Sequence, residues 1–469
     1  MLALRGNIIL PVLLLFFTKG IAQQLPDFNQ PSYTVGKIVV HGNKVTKDFI
    51  VVRELAFNKG DTLFTGDMLN RINRSEFNLN NTLLFHFVTI VPQFESNTVH
   101  FDIYLRERWY IWPYPMIENA DRNLNTWLQN KDFQRLTYGI DLWINNFRGR
   151  NEILQIKAET GFERTLAGYY SKPFIDRKKR FGIKFGGGYA MNKEVNYGSE
   201  ENRRLFYRAD SPQRENIFAE VVLTYRQKLY TRQELSLKIN NYSVADSITA
   251  LSRDFSYLNN NQSESDFFTL SYLIKHDKRD FIIYPLRGYM FLVRARKTGL
   301  GILPGSPDLL ELYSEVHNHL KLGKRLRLST GVYGRLNLLD DPPYLHQQGL
   351  GYGDFVRGYE LYVMDAQHYF VSRNNLKFTI VKPKTKKLDF LPGEAFNTAF
   401  YAVYANLFAD AGYAEDRLYF GQNPLSNKWL AGYGAGVDFV TYYDLILRME
   451  YSLTIDGNRG LYFHFVKPI

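Results

Sequence analysis

The chain has 469 residues, no cysteine, 16% aromatic residues (Tyr 33, Phe 35) and a net charge of +11. Disulfides and cysteine-bound metals are therefore excluded, and a 45% apolar content excludes intrinsic disorder. After residue 22 no apolar run approaches the ~18 residues that a membrane helix needs, so a helical membrane bundle is excluded too. A chain rich in aromatics and glycine (Gly 34) but only moderately apolar on average fits a transmembrane β-barrel, whose apolar lipid face is offset by a polar lumen. The Lys and Arg residues are scattered through alternating segments and form no stripe, which argues for lumen and loop charge and against nucleic acid.

The first segment reads as a secretory signal peptide over 1–22. Arg5 precedes the apolar run Ile8 to Phe17, and Gly20 and Ala22 are the small residues of a cleavage site before Gln23. An exported chain with barrel strands belongs in an outer membrane, because a closed barrel is the non-helical way to satisfy the backbone in lipid. A short linker, 23–32, leaves no room for an enzymatic passenger.

Residues 33–107 read as a small α+β domain in the order β-α-α-β-β. Gly36–His41 is a strand closed by the turn at Gly42 and Asn43. Thr46 can cap a helix over 47–57 whose apolar face carries Phe49, Val52, Leu55 and Ala56. A second helix starts at Thr65 or Asp67 and carries Met68, Leu69 and Ile72. Leu83–Val91 is the next strand. In the last, Val99, Phe101, Ile103 and Leu105 alternate with His100, Asp102, Tyr104 and Arg106.

The remainder, 108–469, reads as sixteen strands, an even number as single-chain outer-membrane barrels require. They fall at 108–117, 135–146, 151–161, 165–174, 180–193, 214–227, 232–243, 266–276, 286–298, 309–322, 325–338, 365–381, 397–409, 429–440, 443–455 and 459–467. Leu445, Leu447, Met449 and Tyr451 oppose Arg448, Glu450 and Ser452, and Leu461 and Phe463 share a face with Phe465. Tight turns at 146–150, 323–325 and 441–444 alternate with long polar loops at 242–265 and 339–364. This places the 119–134 and 242–265 loops outside and the 228–231 turn in the periplasm. The long connection 382–396 breaks that pattern.

The loop after the eleventh strand, the sixth external one, contains Val356-Arg357-Gly358-Tyr359. With a small α+β domain ahead of sixteen strands, this motif resembles the assembly and translocation barrels of the outer membrane: BamA, TamA, the FhaC-type secretion pores and the surface-antigen barrels generally. The small domain is similar to their POTRA module, here a single copy. Asp277-Lys-Arg279-Asp280, Pro285 and Gly288 around the eighth turn support the resemblance, as does Phe408-Ala-Asp410-Ala-Gly412 on the thirteenth strand.

The resemblance implies that the sixth loop folds into the lumen and that Arg357 pairs with an acidic group on the inner wall. Asp410 is the first candidate. Asp438 and Glu450 face inward by parity with Gly434, Gly436 and Arg448. Arg357 either only anchors the loop or takes part in transport. A guanidinium fork suits a bidentate carboxylate, which Lys would not reproduce. The implied function is insertion of outer-membrane proteins or translocation of polypeptide across the membrane, with the POTRA binding clients by strand addition. The implied partners are unfolded outer-membrane or secreted client proteins, outer-membrane lipids, and periplasmic or lipoprotein accessory subunits. The alternative is a passive or nutrient pore in which the loop is a constriction.

No catalytic motif is present, and no cofactor, metal or enzymatic activity is expected. His317 and His319 share a strand face, which fits lumen polarity. The chain ends Phe465-Val-Lys-Pro-Ile469. Pro468 cannot donate to a ladder, so the closing strand is expected to stop near Phe465.

Overall fold

The structure, a computed structural model, describes residues 30–119, 136–252, 256–339, 342–387, 398–418, 420–441 and 445–466. The signal-peptide reading, the 119–134 loop except its first residue, and Pro468 lie outside them. The small domain consists of β1 (Ser32–His41), α1 (Asp48–Arg53), β2 (Thr62–Phe64), α2 (Thr65–Asn80), β3 (Phe85–Glu95) and β4 (Thr98–Glu107). Its sheet has the order β2-β1-β4-β3, with β1 and β4 parallel. The order is thus β-α-β-α-β-β. The extra strand β2 is three residues long, too short for an alternation signal, and it pairs with the start of β1.

Side-chain alternation places Val99, Phe101, Ile103 and Leu105 of β4 in the core, against Met68, Ile72 and Leu79 of α2. Leu69 is exposed, not part of that face. Helix α1 is shorter than the 47–57 expected. Leu55 and Phe57 still fill the core, but from the irregular segment after the helix. The residue before α1 is Lys47, without a side-chain cap. The Thr46 hydroxyl instead meets the Asn146 amide at 2.8 Å and the Tyr110 hydroxyl at 3.1 Å.

The chain then enters β5 (Ile111–Asn119), β6 (Leu136–Phe147), β7 (Glu152–Gly161), β8 (Glu163–Lys172) and β9 (Phe181–Asn192). A separate hairpin, β10 (Glu194–Glu200) and β11 (Arg203–Arg208), precedes β12 (Arg214–Tyr225), β13 (Thr231–Val244), the helix α3 (Asp246–Leu251), β14 (Glu264–Asp277), β15 (Gly288–Thr298), β16 (Leu309–Lys321) and β17 (Leu326–Asn337). Two short strands, β18 (Gln348–Leu350) and β19 (Met364–Asp365), lie in the loop before β20 (His368–Lys387), β21 (Thr398–Glu415), β22 (Trp429–Val440), β23 (Ile446–Thr454) and β24 (Arg459–Val466).

Sixteen of these strands form one antiparallel barrel sheet that runs in sequence order from β5 to β24, with β9 beside β12 and β17 beside β20. Period-two alternation sends one set of side chains out. Leu461, Phe463 and Phe465 on β24, and Ile217, Val221 and Leu223 on β12, are exposed on the outer surface, as a lipid-facing wall requires. The long connection 382–396 begins as strand: β20 runs on to Lys387, past its pairing with β17, and pairs there with β21 with register breaks around Val381, while 388–396 lie outside the described residues.

The small domain sits on the turns at one end of the barrel, called here the near end. Glu54 is buried and accepts both arms of the Arg226 guanidinium, at 2.6 and 2.7 Å, from the β12–β13 turn. Arg53 donates to the carbonyls of Lys179 and Arg226. The Lys47 amide donates to the Gly149 carbonyl at 2.9 Å. Gly149 has φ +72°, and a Cβ there would lie 2.0 Å from the Val45 carbonyl oxygen. Asn81 bridges to the backbone of Arg279, Asp280 and Ile282. The domain is thus fixed to four successive near-end turns.

Arg226→Ala leaves the Glu54 carboxylate buried without its fork. Arg226 is a quarter exposed, so the expected cost is near the lower end of the ~3–5 kcal/mol for breaking a buried pair. Deuterium uptake should rise in residues 48–58 and 173–180 together, and unchanged uptake would show that the latch contributes nothing.

Candidate functional site: the lumen loop and its inner-wall partners

The loop between β17 and β20 turns back into the barrel. Its neck is the β18–β19 ladder, closed where Gly351, at φ +87°, lets the backbone approach within reach of Tyr362. The tip carries Val356, Arg357, Gly358 and Tyr359, all buried. Gly358 takes φ +95°, a reversal that a side chain would strain, and its amide donates to Glu360 at 2.7 Å. Tyr359 donates its hydroxyl to Asp456 beyond the end of β23.

Arg357 is 3% exposed. Its Nε donates to Asp410 Oδ2 at 2.7 Å and its Nη2 to Asp410 Oδ1 at 2.6 Å, a bidentate fork. Nη1 donates to Glu450 Oε1 at 3.0 Å and to Asn375 Oδ1 at 2.7 Å. The guanidinium carbon stands 3.9 Å from the centre of the Phe408 ring. One cation is thus held from three of four successive strands: β20 supplies Asn375, β21 supplies Phe408 and Asp410, and β23 supplies Glu450. Between them, β22 contributes a lane of glycines. A Cβ on Gly432 would fall 1.7 Å from the Arg357 carbonyl oxygen, so the tip lies directly on that backbone. Gly412 leaves room for Val356 in the same way.

Two of the three inner-wall carboxylates expected for Arg357 therefore meet it. Asp438 does not. It forms a fork with Arg448 on β23, at 2.7 and 3.2 Å, and accepts from Tyr284 at 2.7 Å and Asn406 at 3.2 Å. Asp438 and Arg448 are directly opposed in the β22–β23 register, so the nearer cation takes it.

The Omp85 superfamily domain matches residues 146–460. The chain belongs to the Omp85 superfamily. Among solved structures, the chain is similar to BamA from Haemophilus ducreyi lacking POTRA domains 1-3. The identity is 14% and the TM-score 0.51, over 92% of this chain and 84% of that one. It is also similar to CdiB from Escherichia coli, with 11% identity and a TM-score of 0.53 over 92% and 75% of the two chains. At these identities the likeness is one of fold. No curated protein matches the chain.

The second motif of this Omp85 chain, around 277–288, builds a near-end turn. Asp277 holds Arg279 by a fork at 2.6 and 2.8 Å. Asp280 accepts the amides of Phe281, Leu286 and Arg287 through one oxygen. Gly288 has φ +97°, and a Cβ there would meet the Lys278 carbonyl at 2.3 Å. Pro285 lies in the loop that these bonds close. The turn contacts Asn81 of the small domain and presents Tyr284 to Asp438, so it stands apart from Arg357 but borders the same polar network. His317 pairs with Glu315 at 2.6 Å and His319 with Ser329 at 2.8 Å. Among the described residues no group of three or more His, Asp or Glu could hold a metal.

At the far end the Omp85 loops close over one another. Asp365 is fully buried and accepts from Tyr352 at 2.5 Å and from Ser199 of the β10–β11 hairpin. Asn202 of that hairpin binds both backbone groups of Val363. Burial pushes the Asp365 carboxyl up to about 6, against the pull of the Ser199 and Tyr352 hydroxyls, with Asp416 adding to the rise. A raised acid stabilises the folded cap fully below the unfolded value of about 4, and that contribution is lost as pH rises through about 6. The expected loss is on the order of 2–3 kcal/mol. Deuterium uptake in 194–208 and 344–365, corrected for intrinsic exchange, should rise across that window and level off above it. Asp365→Asn should flatten the profile; a profile that is already flat in the unmodified chain would refute the assignment.

Proposed function

We propose that this chain acts on polypeptides at the outer membrane, inserting other outer-membrane proteins or passing polypeptide across it, with residues 33–107 acting as a POTRA module in the periplasm. The observation that carries the reading is the seam of the barrel. Among the described residues no ladder joins β5 to β24, the two ends of the sixteen-stranded sheet. Unpaired backbone in a bilayer costs several kcal/mol per group, so an open seam is a place for another chain's strand. The lumen loop, fixed by Arg357, braces β24 from inside: Tyr462 donates to the Gly358 carbonyl at 3.4 Å and His464 stacks on Phe355 at 6.1 Å.

A passive pore fits less well. The loop occupies the lumen, the far-end loops pack over it, and the small domain is latched to the near end. Strand addition on the small domain is narrowed by its own edges. On β3 the Ile90 amide donates to Glu76 at 3.1 Å, and Pro92, on the same edge, has no amide. The outer edge of β2, ending at the exposed Phe64, is left as the docking strand for an extended client.

The test is photo-crosslinking in cells from a reactive residue placed at 64 or at 461 in the full chain. The reading expects unfolded outer-membrane or secreted precursors trapped at both positions. Trapping at 461 alone would remove the client role of the small domain. Trapping at neither would remove the reading.

A further inference from the structure

At the near end two strands run on past the barrel wall. The last pair of β20 with β17 is Phe378 with Leu326, and the last pair of β21 with β22 is Ala402 with Val440. Past these points β20 and β21 pair only with each other, as a two-stranded ribbon that projects from the near end. The described part of this ribbon, 379–387 with 398–403, contains Lys382, Lys384, Lys386 and Lys387 and no acidic residue. Lys382, Lys384 and Lys386 are exposed and pair with no carboxylate among the described residues.

The register settles which way two of these lysines point. Along β21, Ala402, Tyr404, Asn406 and Phe408 are buried on the lumen side, so Tyr401, Val403 and Leu407 turn outward. Directly opposed residues of an antiparallel pair share a face. Lys384, opposite Tyr401, and Lys386, opposite Ala399, therefore lie on the outer face, and Thr385, opposite Phe400, lies on the inner one. Lys382 stands in the register break between these lysines and the wall. The inner face looks on the small domain: Pro383, Thr385 and Phe400 line an apolar cavity of about 270 Å³ together with Phe77, Phe87 and Leu286.

The outer face continues the lipid-facing wall. Toward the near end it presents the exposed Phe378 and Ile380, then Tyr401, then Lys384 and Lys386. Apolar, aromatic, cationic is the order of hydrocarbon, interface and phosphate met on leaving a bilayer. A lysine stem can lie along apolar surface while its ammonium reaches the phosphates. A soluble acidic partner would account for the charge but not for its position at the end of an apolar, outward stripe.

We propose that the outer face of this ribbon binds the headgroups of anionic phospholipids in the leaflet at the near end, with Lys382, Lys384 and Lys386 as the phosphate contacts. The inference needs the barrel in a bilayer and is independent of what the chain does to polypeptides.

The test uses the full chain in phosphatidylcholine vesicles that carry a trace of photo-reactive phosphatidylglycerol or, in a parallel sample, of photo-reactive phosphatidylcholine. The phosphatidylglycerol probe should label 378–387 well above the phosphatidylcholine probe, while both label the wall at 217–223 equally. A lysine at an anionic membrane surface strengthens association roughly fivefold. Lys382→Gln with Lys384→Gln and Lys386→Gln should therefore lower capture of the anionic probe on the ribbon by at least about tenfold. The same three positions changed to Arg should keep it. At about 1 M salt, where the screening length is roughly 3 Å, the preference should vanish. Heat-modifiable migration checks that each variant is folded. Equal labelling by the two probes, or a preference that survives the glutamine changes, would overturn the proposal. So would crosslinking in cells from a reactive residue at 399 that traps an acidic protein and no lipid.

Discussion

Arg357→Ala is expected to release the lumen loop. The side chains of Asp410 and Glu450 are 0% and 1% exposed, and the substitution strips the fork from the first and a 3.0 Å bond from the second. Arg373 and Arg448 stand 3.9 Å from Asp410 and Glu450 respectively, so each keeps a distant cation. The expected loss is ~3–5 kcal/mol, the range for removing one partner of a buried pair. It should appear as a lower temperature of heat-modified migration and as faster labelling of a cysteine placed at 356. Arg357→Lys keeps the charge but not the fork, and should fall between the two. Exchanging the pair, Arg357→Asp with Asp410→Arg, should recover only part of the loss, because Glu450 and Phe408 then face an anion. A double exchange equal to the sum of its single changes would exclude direct pairing.

Gly432→Ala should do comparable damage without touching a charge. The added Cβ would stand 1.7 Å from the Arg357 carbonyl oxygen and 2.9 Å from its carbonyl carbon, both backbone atoms with no rotamer to yield. The tip must lift off β22, and the bonds to Asp410, already at 2.6 and 2.7 Å, cannot follow. Overpacking of this kind costs about 1–3 kcal/mol before the lost bonds are counted. Gly168→Ala on β8, whose Cβ would meet nothing closer than 4.0 Å, is the control and should be silent. Because both variants free the same loop, Arg357→Ala in the Gly432→Ala background should add little. Full additivity would mean that the glycine lane and the arginine act on different parts of the barrel.

Much of this was legible in the sequence because lipid imposes a strict pattern. A strand between bilayer and lumen must alternate, and fourteen of the sixteen barrel strands lie within three residues of the bounds expected from the sequence, while β20 and β21 each run six residues past their expected ends. The hairpin β10–β11 was missed because it stands beyond the barrel, where no lipid face enforces the pattern. Asp410 was found through its motif. Asp438 was misassigned because parity reports which wall a side chain faces, not which cation reaches it. The Asp438–Arg448 pair, directly opposed across two adjoining strands, could have been anticipated from register alone. The far-end cap around Asp365, Tyr352 and Ser199 joins positions far apart in the chain, and no local signal points to it.

The most direct measurement is depletion of this chain in its own host, with quantification of outer-membrane, periplasmic and released proteins and of small-solute uptake. The account predicts that a defined set of proteins leaves the outer membrane or the medium and accumulates in the periplasm, while uptake by the remaining pores is unchanged. The Arg357→Ala chain should restore that set only in part. An unchanged protein distribution together with lost solute uptake would contradict the account and identify the barrel as a pore.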